Sequence, residues 1–441
     1  MSKFEETENS IQNNEKDSEE CQLENICEIE TEDNSNNSQN HEQADGSKQP
    51  LSLQFSVPSL SSLTQPLNTM FTEAKHHICT FIGSNPSSML GRKSHTFSTK
   101  EPVWIMGSQY DMTESPSDCD MKEDGTMNGM ERVVRKLSTI LWITYRRGFE
   151  VIEGSKYTSD AGWGCMVRTT QMMCAQGLIL FYCRKQELTE STDGSYSSLF
   201  EHVLSCFNDT YGACFSLHNM LKHSKSFQKG VGTWFGPAEA CVMAVKCLQD
   251  SFLSNQIAGL VASQSNGVIY KSEITKLCCN EGKWEKAIFI FVPLRLGLNE
   301  LNLNYIPSVL RCLEMKHSIG IVGGKPQRSL YFVGYQHENL LYLDPHTVFD
   351  TNKDKSNIPY NCKNIYSLNV RELDPSMALG FFVRDKHDFE LFWEECQCFI
   401  KKPFPIFTIQ DEMPLLDLTW EEASTNDHDS ESSEGSEWEN L

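Results

Sequence analysis

The segment Thr158-Ser159-Asp160-Ala161-Gly162-Trp163-Gly164-Cys165-Met166-Val167-Arg168 places a cysteine behind a Gly-Trp-Gly lead-in, at the start of a strongly helical run over 165–183. A thiol at a helix N-terminus feels the positive end of the macrodipole and its unpaired N–H groups, which lower its pKa. Glycines let a substrate backbone come close, and an N–H at the nucleophile can help to hold a tetrahedral oxyanion. The matching chemistry is attack on a carbonyl, and it needs a base and a group that orients the base. Of the 12 histidines, His346 brings a carboxylate with it, in Leu343-Asp344-Pro345-His346-Thr347. If this strand end stays extended, Asp344 and His346 share a face, and Asp344 can fix the imidazole tautomer and stabilise the imidazolium. Taken singly, Cys165 also fits core packing and Asp344-Pro345 also fits an ordinary turn. His41 and His428 lie in acidic ends, His76 and His77 on the 67–82 segment, and His337 falls in a predicted turn at Gln336-His337-Glu338-Asn339.

Stepping outward from these residues, helical spacing predicts helices over 138–149, 165–183 and 385–401. Apolar and β-branched runs predict strands over 257–262, 287–293, 318–322, 330–335, 340–344 and 379–383. Helices followed by clustered strands define an α+β domain over about 101–409, opening near Glu101-Pro102-Val103-Trp104 and interrupted by an acidic loop at 111–131. Upstream, Leu67, Met70, Phe71, Ala74, Ile78, Phe81 and Ile82 predict an amphipathic helix over 67–82, either packed on the domain or resting on a membrane surface.

The 60 acidic and 38 basic residues give a net charge of −22, but its location is informative. Residues 1–50 carry 14 acids and 3 lysines, residues 410–441 carry 11 acids and no base, and the span between them sums to zero. Both ends lack the apolar content needed to offset ordering entropy, so 1–100 is expected to be largely disordered and 410–441 to be an acidic disordered tail. The charge balance disfavours nucleic-acid binding. The 17 cysteines are scattered without zinc spacing, so reduced thiols and no metal are expected. With no long apolar run and no secretory leader, the expectation is a cytoplasmic chain.

A resemblance adds to this reading. The blocks EPVWIMG (101–107), LWITYRRGF (141–149), TSDAGWGCMVR (158–168), GTWFGPAEA (232–240), VPLRLG (292–297), GIVGGKPQRSLYFVGYQ (320–336) and LYLDPHT (341–347) occur in one order that resembles the autophagin family. These are cytosolic cysteine proteases that process the ubiquitin-like, GABARAP-type autophagy modifier. The resemblance implies a papain-like fold with a long N-terminal extension of the animal type. It implies Cys165 as nucleophile, His346 as base and then acid, Asp344 as orienter and Tyr145 as an oxyanion donor. Trp234 and the loop Gly323-Gly324-Lys325-Pro326-Gln327-Arg328-Ser329 would gate the entrance to a thin, Gly-ended tail. Peptide cleavage and release of the modifier from phosphatidylethanolamine would share one site. The implied protein is a monomer without cofactor, in peripheral contact with autophagic membranes. Phe235, Thr170 and Ala161 depart from the family pattern without removing a catalytic atom. The terminal Trp438-Glu439-Asn440-Leu441 resembles short peptides that dock on the modifier by strand addition, with Trp438 and Leu441 as anchors. A Cys-His-Asp acyltransferase and a modifier-binding scaffold of low turnover remain as alternatives.

Overall fold

A computed structural model describes residues 94–112, 128–185, 195–262, 267–326, 328–351, 360–362 and 364–414. The amphipathic stretch 67–82, most of the acidic loop, and the terminal tail with Trp438 and Leu441 lie outside the described residues. In chain order the strands are β1 (Val103–Ile105), β2 (Ser108–Tyr110), β3 (Tyr145–Arg147), β4 (Ile257–Val261), β5 (Val268–Tyr270), β6 (Cys279–Asn280), β7 (Lys283–Trp284) and β8 (Ala287–Arg295). They continue as β9 (Ser318–Lys325), β10 (Arg328–Gln336), β11 (Asn339–Leu343), β12 (Val348–Asp350), β13 (Tyr366–Asn369), β14 (Ser376–Val383) and β15 (Thr408–Gln410). The helices are α1 (Gly129–Ser138), α2 (Cys165–Lys185), α3 (Ser195–Ser205), α4 (Leu217–Lys222), α5 (Pro237–Gln249), α6 (Lys271–Cys278), α7 (Ile306–Glu314) and α8 (Lys386–Ile400).

The main sheet runs β13-β11-β10-β9-β14-β8-β4, with β1 added to β10 and β2 to β1. It is antiparallel except where β4 pairs with β8. Its strands read as continuous apolar runs because both faces are covered. On β8, Phe289 and Phe291 enter one core while Ile288, Ile290 and Val292 enter the other, the period of two expected of a pleated strand. Tyr331 and Val333 of β10 face the first core, and Leu330 and Phe332 the second. The first core holds α2 and α5, and α2 is buried without a solvent face from Cys165 to Ile179, its polar side chains Arg168, Thr170 and Gln171 included. The second core holds α7 and α8. The result is the α+β arrangement expected from the sequence, with α2 held against β9 and β10.

Two predicted segments differ. Residues 138–149 are not a helix. The helix lies earlier, at Gly129–Ser138, where Asn128 and Glu131 form a capping box: the Glu131 N–H donates to Asn128 Oδ1 at 2.9 Å, and the Asn128 N–H to Glu131 Oε2 at 3.2 Å. The last residues of the predicted loop, 128–131, are therefore its start. After α1 the chain is extended, with Ile143, Thr144, Tyr145 and Arg146 all buried in succession. The extended conformation is fixed by β3 pairing in parallel with β12, Tyr145 with Val348 and Arg146 with Phe349, and by the Trp142 N–H on the Tyr360 carbonyl at 2.7 Å. The second difference concerns boundaries. Residues 94–100, assigned to the extension by composition, are tied to the sheet: the His95 N–H donates to the Ile365 carbonyl at 2.9 Å, and His95 is buried beside Phe97. Gln410 ends β15, and the Asp411 carbonyl accepts the Ser272 N–H at 2.9 Å.

Candidate active site

Cys165 is the first residue of α2 and is 5% exposed. Its lead-in is folded by Asp160, whose carbonyl accepts the Trp163 and Gly164 N–H groups at 3.2 and 2.9 Å. The Asp160 carboxylate packs against Gly164 so closely that a Cβ there would lie 2.4 Å from Oδ2. The glycine before the cysteine is therefore a packing requirement. The same carboxylate accepts the Arg146 N–H at 2.7 Å, and both its oxygens receive the Arg168 guanidinium, at 2.7 and 3.1 Å. A buried ion pair thus locks the start of α2 to β3.

β3 brings Tyr145 to the site. The Tyr145 N–H donates to the Pro345 carbonyl at 3.0 Å, and its ring stands edge-on to His346 with centroids 5.3 Å apart. β11 ends at Leu343, so Asp344 and His346 do not meet through strand alternation. They meet through an Asx-type turn in which Asp344 Oδ1 accepts both the His346 backbone N–H, at 2.9 Å, and ring Nδ1–H, at 2.6 Å. That bond fixes the tautomer and leaves Nε2 for the thiol. Trp142 Nε1–H donates to the Asp344 carbonyl at 2.8 Å and holds the turn from the other side.

The electrostatics follow from these contacts. Burial works against a Cys165 thiolate, but hydrogen bonds with His346, Ser329 and Tyr145 outweigh it and bring the thiol down to about 7. Cys247 and Cys278 have no such partners, and burial pushes both up to about 12. Burial also opposes charge on His346, yet Asp344 and Cys165 raise it to about 9. Burial would raise Asp344, but His346 and Arg328 hold it well below the usual carboxylate range. Burial and the neighbouring Cys165 push the Tyr145 hydroxyl far up, so it stays protonated and can donate. Between about pH 7 and pH 9 the site is a thiolate–imidazolium pair beside an ionised carboxylate.

The thiol lies on the floor of a cleft of about 180 Å³. Trp234 forms one wall, half exposed, with its Nε1–H donated to the Gly162 carbonyl at 2.8 Å. Opposite stands the tip of the β9–β10 hairpin, with Gly324, Lys325 and Pro326. It is anchored by the Asp374 N–H on the Gly324 carbonyl at 2.7 Å and by a Lys325–Glu372 ion pair at 2.5 Å. Phe235 is buried under the Lys229 ammonium. Thr170 is buried with its hydroxyl donated to the Met166 carbonyl at 2.9 Å, so the polar atom set behind the nucleophile is satisfied. The structure thus gathers His346, Asp344 and Tyr145 around Cys165, and Cys165 shares the cleft lining with Trp234, Gly324, Lys325 and Pro326. The structure also gives roles around the thiol to Trp142, to the Asp160–Arg168 pair and, within the expected gating loop, to Arg328 and Ser329. Ser329 Oγ lies 3.4 Å from Cys165 Sγ.

A helix-borne thiolate paired with an imidazolium, on a helix packed against an antiparallel sheet, defines a papain-like cysteine peptidase. A Peptidase C54 catalytic domain matches residues 130–395, and the chain belongs to that family. Relatives include the cysteine protease ATG4A of Oryza sativa subsp. japonica, 33% identical over 366 residues that cover 75% of this chain and 74% of the relative. The cysteine protease ATG4A of Xenopus laevis is 32% identical over 321 residues, covering 66% and 76%. The cysteine protease ATG4C of Xenopus laevis is 30% identical over 377 residues, covering 71% and 83%. The protein is a cysteine protease of autophagy. Among the described residues no helix is long and apolar enough to cross a membrane.

Proposed function

We propose that the protein cleaves the peptide bond after the C-terminal glycine of a ubiquitin-like autophagy modifier of the GABARAP type, and that it releases the same modifier from phosphatidylethanolamine. The observation that carries this is the buried Cys165–His346–Asp344 chain of hydrogen bonds at the floor of a cleft narrowed by Trp234 and the 323–329 hairpin. Cys165 Sγ attacks the glycyl carbonyl carbon, and the carbonyl π electrons move to oxygen. The start of α2 and the Tyr145 hydroxyl offer donors to that oxyanion. His346 gives its Nε2 proton to the leaving nitrogen as the C–N bond breaks, and a thioester forms. Water, losing a proton to His346, then attacks the thioester, and the thiolate leaves. The peptide amine and the lipid amine are both nitrogen leaving groups on a glycyl carbonyl, so one mechanism covers both.

The walls of the cleft support a thin, extended tail with no side chain at its end. Outside the described residues, the terminal Trp438 and Leu441 would dock the modifier by strand addition. The deciding experiment is cleavage of a C-terminally tagged modifier by full-length protein. Wild type is expected to cut it and Cys165→Ala to leave it whole. If both leave every modifier precursor intact, the protein does not act on this substrate class.

A further inference from the structure

Arg328 opens β10 directly after the hairpin turn, and its partner in the register is Lys325 at the tip. Its guanidinium reaches Asp344 Oδ2 at 2.6 Å, while Oδ1 of the same carboxylate is occupied by the His346 backbone N–H and ring Nδ1–H. Asp344 is 1% exposed. The next residue, Ser329, lies within hydrogen-bond reach of Cys165 Sγ. Two consecutive residues of the hairpin therefore touch the two ends of the Cys–His–Asp chain.

The charge count at this point changes during a reaction cycle. While His346 is an imidazolium, the buried Asp344 carboxylate has a cation on each oxygen. When His346 has given its proton to the leaving amine, the imidazole is neutral, and without Arg328 the carboxylate would stand buried and uncompensated. A guanidinium does not deprotonate in this range, so its compensation persists through both halves of the cycle. It also makes the proton easier for His346 to release, because a nearby cation disfavours the charged ring. We propose that Arg328 is a positioning residue for the hydrolysis: held on Oδ2 of Asp344, it aims the carboxylate at His346 and balances its charge whenever the imidazole is neutral. The seat of the 323–329 hairpin is thereby coupled to proton transfer at His346. This rests on the roles of Cys165, His346 and Asp344 proposed above.

The test uses full-length protein with a C-terminally tagged ubiquitin-like modifier, and compares wild type, Arg328→Met, Arg328→Lys and Cys165→Ala. Loss of one hydrogen bond to a charged group predicts a kcat lower by about 10–100-fold in R328M. KM should stay within about twofold, because Arg328, although it lines the cleft, is held on Asp344 and acts through that carboxylate. The alkaline limb of kcat/KM should move to higher pH in R328M, since His346 then holds its proton more tightly, and should return towards wild type in R328K. A merely structural role would lower activity without moving that limb. A wild-type kcat and limb in R328M, or a raised KM with unchanged kcat, overturns the proposal. If R328M loses its cooperative melt, R328K decides alone: a limb displaced upward as far as one pH unit despite the retained charge overturns it. Cleavage that survives Cys165→Ala overturns the underlying assignment instead, so the two failures are distinguishable.

Discussion

Arg168 Nε and Asp160 Oδ2 lie 2.7 Å apart with both side chains sealed from solvent, three residues into the helix that Cys165 opens. A second arm of the guanidinium reaches Asp209 at 2.9 Å. Burial opposes charge on Arg168, but the two carboxylates more than offset it and keep the side chain protonated. Arg168→Met would leave Asp160 as an uncompensated buried charge, which costs about 3–5 kcal/mol. Denaturant unfolding should show a loss of that size. Because Asp160 also holds the Arg146 N–H, the register between β3 and α2 should slip, and cleavage should fall with it. A loss below about 1 kcal/mol would mean that the pair contributes no more than an exposed ion pair.

The nucleophile and base predict a bell-shaped pH dependence of kcat/KM. Cys165 must be deprotonated, so activity should rise as pH increases through about 7. His346 must be protonated, so activity should fall as pH increases through about 9. The two limbs belong to the coupled pair, and either residue alone would not reproduce them. Asp344→Asn removes the main source of the raised imidazole pKa and should move the alkaline limb down while lowering kcat. An alkaline limb that stays in place in Asp344→Asn would remove Asp344 from this role.

How much of this was legible in the sequence depends on whether the contact is local. Asp344 and His346 are two residues apart, and Cys165 is the first residue of its helix, so their local settings were legible in short segments. The strand runs 257–262, 287–293 and 318–322 were legible because burial on both faces makes them continuously apolar. The helix over 385–401 was legible too, and Lys386–Ile400 has Asp385 as its N-cap. Helical spacing over 138–149 misleads because β3 exists through pairing with a strand about 200 residues away, which no local pattern encodes. Arg328 was illegible for the same reason. The loop that holds it is expected to gate the entrance, and nothing in its spacing points to Asp344 until the hairpin folds.

Gly164→Ala tests how tightly the nucleophile is seated. The added methyl would overlap the Asp160 carboxylate, which is itself fixed by Arg146 and Arg168 and cannot swing away freely. Overpacking of this kind costs about 1–3 kcal/mol. The expected kinetic signature is a reduced kcat with little change in KM, as the thiol moves relative to His346. Wild-type kcat in a normally folded Gly164→Ala variant would show that the carboxylate has room to yield.

His317 offers a pH test of stability away from the site. It is buried, with Nδ1 3.0 Å from Glu395 Oε2 and Nε2 3.4 Å from Asp388 Oδ1, and Asp388 also pairs with Arg384. Burial lowers its pKa, but the two carboxylates outweigh burial and raise it. A folded pKa above the unfolded value contributes stability that is complete below the unfolded value of about 6.5 and is lost as pH rises through the folded pKa. His317→Phe should therefore destabilise the protein most near pH 6 and progressively less in alkaline solution. A difference in unfolding free energy that stays constant with pH would mean that packing against Phe392, and not charge, is what His317 supplies.

Trp234 separates access to the thiol from reactivity of the thiol. With 51% of its surface exposed, it contributes little to the core, so Trp234→Ala should change stability by no more than about 0.5 kcal/mol. It forms a wall of the cleft and holds the Gly162 carbonyl, so the loss should fall on engagement of an extended tail. Cleavage of a tagged modifier should drop in kcat/KM, mainly through KM, and Trp234→Phe should recover part of it by restoring the apolar wall without the N–H. Alkylation of Cys165 by iodoacetamide, followed on the Cys165 peptide by mass spectrometry, should proceed at the wild-type rate or faster, because a small reagent needs no wall. If alkylation slows as much as cleavage, Trp234 acts by holding the Gly162–Cys165 turn in shape, and the wall is secondary.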